Sequence, residues 1–172
     1  SLARDTLVMC IRSLFKRDCG KAVHPMLDDW MTSLLVAQTS EPDEEIRALA
    51  RGNVSLPAQA VLMDAARAEE MAATRCRLLA SSATEGGNWP VRAASLLSIQ
   101  LFAFNHALLL SETSRQLLRQ TVAARLADPQ VEVYKVAANV YASLLAPLSD
   151  QQQQAALVEV QRRHPQLLAR ES

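Results

Sequence analysis

The chain has 172 residues, 49% of them hydrophobic, and its 18 basic side chains balance 18 acidic ones to a formal net charge of zero. This length is enough for one domain with a sizeable core and short for two. The balanced charge, without a stripe of Lys and Arg interleaved with aromatic residues, argues against direct nucleic-acid binding.

The apolar content points to helices. It is carried mainly by Leu, Ala and Val at helical spacings, and aromatic residues make up only 4% of the chain, so we predict an all-α fold. The most apolar stretch, 96–110, is too short to span a bilayer and has polar residues in its middle, so we expect no membrane contact. The start, Ser1 to Asp5, lacks an initiator Met and a signal-peptide pattern, and we expect a domain taken from a longer chain.

The first half of the chain contains four predicted helices. The first spans 3–17 and ends at the cap Gly20, and the second runs from Pro25 to about residue 38. A strong start signal at 40–45 predicts a short helix to residue 51, ended by Gly52-Asn53. Ser55 and Pro57 then open a long helix that should persist to about residue 81.

The second half begins with a loop at 84–88, since it contains the pair Gly86-Gly87. From 89 to about 110 the pattern is apolar almost all round, which predicts a helix covered on every side by other helices. The next helix begins at Ser111 or Thr113, runs to about 127 and is broken by Asp128-Pro129. Another is stopped near residue 147. The last begins with a capping box, Ser149 with Gln152, and ends near His164-Pro165.

Three helix starts share one design: an acidic or Pro-containing turn, an aliphatic residue and an Ala-rich helix. They are EPDEEIRALA (41–50), GNWPVRAASLL (87–97) and ADPQVEVYKVAANV (127–140). Aligning Ile46, Val91 and Val133 gives intervals of 45 and 42 residues, and each segment follows an apolar helix. The alternative to a repeat is a plain helical bundle whose helices happen to be similar in length.

This period resembles that of HEAT repeats, helix pairs of ~40–47 residues. We therefore predict a HEAT-like α-solenoid of about three to four antiparallel helix pairs, forming one domain over 1–172. Its approximate units are 24–52, 56–110 and 112–146, flanked by helices 3–18 and 150–164. The aliphatic residue should pack between repeats, and Asp128-Pro129 should end one helix and start the next. The resemblance implies that the Arg after the aliphatic residue reaches an acidic group in a neighbouring turn; Arg47 and Arg92 match, whereas Tyr134 departs from the pattern.

No residue pattern indicates catalysis, a cofactor or a metal. His24, His106 and His164 show no metal-ligand spacing, and His106 is typical of a satisfied core residue. The three cysteines, Cys10, Cys19 and Cys76, form no C-x-x-C, which indicates reduced, mostly buried thiols in a cytosolic or nuclear protein. The chain is therefore predicted to be a non-enzymatic scaffold or binding module.

A more specific resemblance comes from the stretches 88–110 and 125–145. Trp89, Arg92, Gln100 and Phe104 stand at offsets of 0, 3, 11 and 15, the spacing seen in the C-terminal HEAT region of the giant single-chain proteasome activators. The following unit, with Asp128 to Val133 and then Ala137-Ala138, has the form of that family as well. The similarity covers roughly a third of the chain directly, and the first 80 residues match only as generic HEAT repeats.

The resemblance implies a solenoid that caps the α-ring of the 20S proteasome, opens its gate without ATP and works in the nucleus and cytoplasm. Some family members also favour acetylated histones. The Asn-Phe pair used for acetyl-lysine is replaced here by residues 146–149, Ala-Pro-Leu-Ser. The chain ends Ala-Arg-Glu-Ser, so we expect that it either stops short of the hydrophobic, Tyr-containing tail of the family or lacks it. We therefore assign no acetyl-lysine site. The rival hypothesis is a HEAT domain of another large scaffold, such as a transport receptor or a kinase regulatory subunit.

Overall fold

The computed structural model describes residues 27–40, 42–54, 64–81 and 89–165, and this part of the chain contains helices and no strand. The all-α prediction is therefore confirmed. Short 3-10 turns at Ala107–Leu109 and Ala124–Ala127 follow the fourth and fifth helices. The helices are α1 (Leu27–Ser40), α2 (Glu44–Val54), α3 (Ala65–Ser81), α4 (Trp89–His106), α5 (Glu112–Ala123), α6 (Val131–Leu145) and α7 (Asp150–Arg163).

Several sequence predictions lie outside the described residues. They are the helix at 3–17 with its cap Gly20, the start of the second helix at Pro25, the region 55–63, and the loop at 84–88. Cys10, Cys19 and His24 also lie there.

Most helix starts described by the structure are fixed by side-chain caps. The predicted capping box is confirmed, because the Ser149 hydroxyl accepts from the backbone of Gln152 while the Gln152 side chain accepts from the backbone N–H of Ser149. At α5 the cap is Ser111, whose hydroxyl accepts from the backbone N–H of Ser114 at 3.2 Å. A side-chain oxygen at this position satisfies an N–H group that the first helical turn leaves without a partner.

In α2 and α3, helix boundaries differ from those predicted. The helix expected to run unbroken to residue 81 does not pass through Asp64: this residue is non-helical, α3 begins at Ala65, and the Asp64 carboxylate accepts from the backbone N–H of Arg67 at 2.8 Å. The helix expected to stop at Gly52-Asn53 continues to Val54. Gly52 faces open space, and the Asn53 side chain donates to the Leu49 carbonyl at 2.6 Å, so neither residue interrupts the backbone.

The helices pack as consecutive pairs that also contact the next pair. α1 packs on α2, α3 on α4 and α5 on α6, while α3 contacts α5 and α4 contacts α6. One continuous core, with Phe102, Met71 and Leu79 among its largest fully buried side chains, is formed from α3 to α7. α1 is joined to α4 through a separate small cluster, Leu35 with Ala94.

Burial follows the alignment of the three helix starts. Ile46 and Val133 are buried, and Val91 is half-buried. The residues four positions later in each helix are buried in all three cases: Ala50, Ser95 and Ala137. The residues seven positions later are buried as well: Asn53, Ser98 and Val140. The same face of α2, α4 and α6 therefore points inward.

Candidate protein-binding surface

Arg92 and Asp128, both singled out from the sequence, form a buried ion pair between α4 and the turn before α6. The Arg92 Nε and one terminal nitrogen each lie 3.0 Å from a different Asp128 carboxylate oxygen, and the two side chains are only 8% and 2% exposed. The carboxylate also accepts from the backbone N–H of Gln130 at 3.0 Å. The pair therefore joins one helix hairpin to the next, and the same carboxylate holds the turn that leads into α6.

Arg125 adds a second link at the same turn. One of its terminal nitrogens donates to the Leu79 carbonyl in the last turn of α3 at 3.3 Å. Burial lowers the pKa of Arg125, and the nearby Arg92 adds to this while Asp128 opposes it. The turn before α6 thus contacts the end of α3 as well as the start of α4.

Arg47, the other arginine matched to the HEAT pattern, makes local contacts. Its guanidinium donates to the Glu44 carboxylate and, at 3.1 Å, to the Pro42 carbonyl. Glu44 also accepts from Arg51, and these two arginines, Arg51 first, lower the pKa of Glu44. The turn that lies one repeat later, at 84–88, is outside the described residues.

The remaining predicted positions do not gather into one site. Trp89, the first residue of α4, is 40% exposed, Pro129 is exposed and Val133 is fully buried. Gln100 is half-buried and lines a groove that the sequence analysis did not identify as a site.

That groove, here called the apolar groove, lies between α4, α5 and the end of α6 and has a volume of about 460 Å³. Its α4 wall is Leu97, Leu101 and Phe104. Buried Leu110, just before α5, and buried Leu118, in the middle of α5, also line the groove. Leu144 of α6 and Pro147, just after α6, line its third side. Phe104 is 85% exposed, and Leu108 in the adjoining 3-10 turn is 98% exposed.

The α4 wall arises because α4 is apolar on more faces than its neighbours cover. Leu97, Leu101 and Phe104 are spaced four and three residues apart and so share one helix face. The prediction that other helices cover α4 on every side is therefore wrong. Residues on its other faces, including Ile99 and Phe102, enter the core, while this face stays open. The helix also ends at His106 instead of about 110.

Charged residues form the rim of the apolar groove on α5. Arg115 and Arg119 both bind the Glu112 carboxylate, with Arg119 first among the causes that lower the pKa of Glu112. Arg115 also donates to the Ala107 carbonyl at 3.1 Å, which fixes the 3-10 turn beside the groove. An open apolar surface with a charged rim is typical of a protein-binding site.

The start of α5 is held by a carboxylate from α3. Glu69 accepts from the backbone N–H of Ser111 and from the Ser114 hydroxyl, and the Ser111 bond is the main cause of its lowered pKa. This contact, like that of Arg115, fixes the segment between α4 and α5 from which one side of the groove is built.

The groups expected to be structural occupy the interior. Burial raises the pKa of the Cys76 thiol, so it stays protonated near neutral pH. His106 is buried with its ring centroid 5.1 Å from that of Phe102. Among the described residues, no three His, Cys, Asp or Glu side chains converge in a way that could hold a metal ion. No helix in the described ranges is long and apolar enough to cross a membrane.

Gln100 and Phe104 were predicted only as parts of a family spacing, and the groove that they line with Leu97, Leu101 and Arg119 was not predicted. One signal was available. A helix at the edge of a stack is covered by neighbours on only some of its faces, so a helix that is apolar on all faces leaves one apolar face exposed there. In α4 that face carries Leu97, Leu101 and Phe104.

Comparison with known proteins gives a partial similarity. Over 64 residues, 37% of this chain, the sequence is 34% identical to proteasome activator subunit 4 of Arabidopsis thaliana. The chain covers 4% of the length of that relative. No family model matches the chain. No solved structure matches it either. The chain is therefore similar, in part, to a proteasome activator.

Proposed function

We propose that this chain is a non-enzymatic scaffold and binding module, a HEAT-like α-solenoid segment of an ATP-independent activator that caps the 20S proteasome α-ring and promotes gate opening. The proteasome relationship is supported by the 34% identity over 64 residues to proteasome activator subunit 4. It is also supported by the spacing of Trp89, Arg92, Gln100 and Phe104. Action in the nucleus and cytoplasm, where such an activator would meet its partner, is part of the same proposal.

Two observations favour a HEAT-like stack over a plain bundle. The inward positions of α2, α4 and α6 keep the same phase, with Ala50, Ser95 and Ala137 all buried. The Arg92–Asp128 pair joins one hairpin to the turn of the next, which is the contact implied by the HEAT resemblance. In a plain bundle neither the phase nor this contact would be required.

The proposed binding role is supported mainly by the apolar groove. Burying a largely exposed Phe releases water from apolar surface, and aromatic side chains are common anchors in protein interfaces. Phe104 is 85% exposed at one wall of the groove, with Leu97 beside it at 52%. We propose that apolar side chains of the partner protein fill this groove.

Capture of purified 20S particles on the immobilised chain tests the proposal. We expect the chain to retain the particles and Phe104→Ser to reduce the retained amount by about tenfold or more, as for an interface anchor. Val158→Ser is the matched control, since Val158 is 52% exposed on α7 and does not line the apolar groove. Thermal melting of both variants checks that the fold is kept.

Two results would count against the proposal in different ways. If 20S particles are never retained, the proteasome relationship fails, and the chain is better described as a HEAT domain of another large scaffold. If the particles are retained equally by Phe104→Ser, the relationship stands and the apolar groove is the wrong surface.

A further inference from the structure

The open face of α4 continues a face that another helix already contacts. Four apolar residues at intervals of three, four and three positions lie on this side of α4: Ala94, Leu97, Leu101 and Phe104. Ala94 packs against Leu35 in the small cluster that joins α1 to α4. The apolar groove is therefore continuous with a helix–helix contact of the same chain.

Exposure along this face is lowest where α1 packs and highest at the far end. Ala94 is 8% exposed, Leu97 is 52% exposed and Phe104 is 85% exposed, while Leu101 is half-buried. The stretch from Leu97 to Phe104 spans two helical turns, or about 10 Å. The described helices thus cover the beginning of the face and leave these two turns open to a further helix.

The lining of the apolar groove suits a helix better than an extended chain. Its walls are side chains of helices, and few of them have hydrogen-bonding groups to spare: the Ser143 hydroxyl already donates to the Val140 carbonyl, and Arg115 is bonded to Glu112 and to the Ala107 carbonyl. An extended peptide needs partners for its backbone N–H and C=O groups, whereas a helix satisfies its own. Residues three and four apart on such a helix also share one side, which matches the spacing of the α4 wall.

Gln100 is the polar residue in the middle of this face. It lies three residues after Leu97 and four before Phe104, it is half-buried, and it lines the groove. Its amide makes no hydrogen bond with the part of the chain that the structure describes. Covering an amide without giving it a partner is costly, so an occupant of the groove needs a polar group opposite Gln100.

We propose that the apolar groove binds an amphipathic helix of the partner protein. This helix packs on α4 beyond α1, with apolar side chains on Leu97, Leu101 and Phe104 and one polar side chain hydrogen-bonded to Gln100. The inference rests on the binding role proposed above for the groove and adds the form of the occupant.

The test begins with a phage-displayed library of random peptides of about sixteen residues, enough for four helical turns. Peptides that bind immobilised Phe104→Ser are removed first, and the rest are selected on the immobilised full chain. The enriched peptides should have apolar residues three and four positions apart, with one Asn, Gln, Ser or Thr on the same side.

Proline distinguishes a helical from an extended peptide. Anisotropy of a fluorescein-labelled selected peptide measures its affinity. Proline at a central position on the polar side of the peptide should weaken binding by about a hundredfold, because it breaks a helix interior. Alanine at the same position is the control and should leave binding nearly unchanged.

Variants of the chain assign the peptide to the groove. Leu97→Ser should weaken binding by about tenfold, as for an apolar interface contact. Val158→Ser is the matched control, because Val158 is also 52% exposed but lies on α7 and does not line the groove. Thermal melting of both variants checks that the fold is kept.

A swap tests the contact with Gln100. Gln100→Leu should weaken binding by about tenfold, because the polar side chain of the peptide loses its partner. Replacing that peptide residue by Leu should restore binding to Gln100→Leu and weaken binding to the wild type. An affinity that Gln100→Leu leaves unchanged would remove the role assigned to this amide.

Several outcomes would overturn the helical occupant. Apolar residues at alternate positions of the enriched peptides, or tolerance of the central proline, would indicate an extended chain. Equal affinity for wild type and Leu97→Ser would place the peptide elsewhere, and self-association in sedimentation that Leu97→Ser abolishes would make a second copy of this chain the occupant.

These outcomes are separate from the capture of 20S particles. Retention of the particles that depends on Phe104, together with extended peptides, would leave the proposed function in place and remove the helix. Helical peptides that bind the groove while 20S particles are never retained would do the reverse.

Discussion

In the turns before α2 and α6 an Asp carboxylate accepts from the backbone N–H two residues later, and the two turns differ in what else this carboxylate contacts. Asp43 accepts from the backbone N–H of Glu45 at 2.9 Å, and Asp128 accepts from Gln130 at 3.0 Å. Asp43 is exposed, whereas Asp128 is buried and also receives Arg92 from 36 residues earlier in the chain. This bond is local in both turns, and within the described residues the Asp128 turn also couples two helix pairs.

The arginines show the same contrast. Arg47 shares the exposed Glu44 with Arg51, and exposed ion pairs of this kind add little to stability because water and salt screen them. The Arg92–Asp128 pair is shielded from water, so losing Arg92 would remove two direct bonds from a buried carboxylate, which is costly. Burial, and not residue type, separates the two cases.

The largest expected effect comes from placing a charge at Val133, the buried residue in the first turn of α6. Val133→Asp should destabilise the chain by more than about 4 kcal/mol, because Val133 is fully buried and a carboxylate there has no partner. Urea denaturation followed by circular dichroism measures the loss. Val131→Asp is the control: Val131 is 53% exposed in the first turn of the same helix, where an acidic residue is favourable. Equal unfolding midpoints for the two variants would mean that Val133 is not in the core.

A smaller effect is expected from removing the cation of the buried pair. Arg92→Met leaves the 2%-exposed Asp128 side chain without Arg92 and should cost about 3–5 kcal/mol. Adding Asp128→Asn should recover much of this loss, because the Asn side-chain oxygen can accept the same hydrogen bond from the Gln130 N–H and Asn carries no charge. Arg47→Met is the comparison variant and should leave the urea midpoint nearly unchanged. Similar losses for Arg92→Met and Arg47→Met would remove the distinction between the two turns.

The helix caps and the Arg92–Asp128 contact also differ in how far the sequence predicts them. Ser149 with Gln152 was read directly from the sequence, since a capping box depends on residues three apart. The start of α3 just after Asp64 was not predicted, because Ser55 and Pro57 form an earlier helix-start signal in the sequence. Tertiary context decides between such competing signals. The contact of Arg92 with Asp128 was expected only through the HEAT resemblance, because no local rule joins residues 36 apart.

The apolar groove was not predicted for a related reason. Apolar residues on all faces of α4 indicated complete burial, but a pattern records only that a face is apolar and not what covers it. Leu97 and Phe104 are exposed in the structure, so the same pattern describes a binding face.

The smallest expected effect is the pH and salt dependence of the exposed turn. The folded-state pKa of Glu44 lies below its ordinary value of 4.5 because of its bonds to Arg51 and Arg47. A lowered carboxyl pKa stabilises the fold above the unfolded-state value, and this contribution is lost as the pH falls through the folded-state pKa. Wild type should therefore unfold at slightly higher urea than Glu44→Gln at pH 7, and the two midpoints should converge as the pH falls below 4.5. They should also converge at pH 7 in 1 M NaCl, where the screening length is ~3 Å, whereas the deficit of Arg92→Met should persist because its pair is buried. A salt-sensitive Arg92→Met deficit would show that water reaches the Asp128 turn as it reaches Glu44.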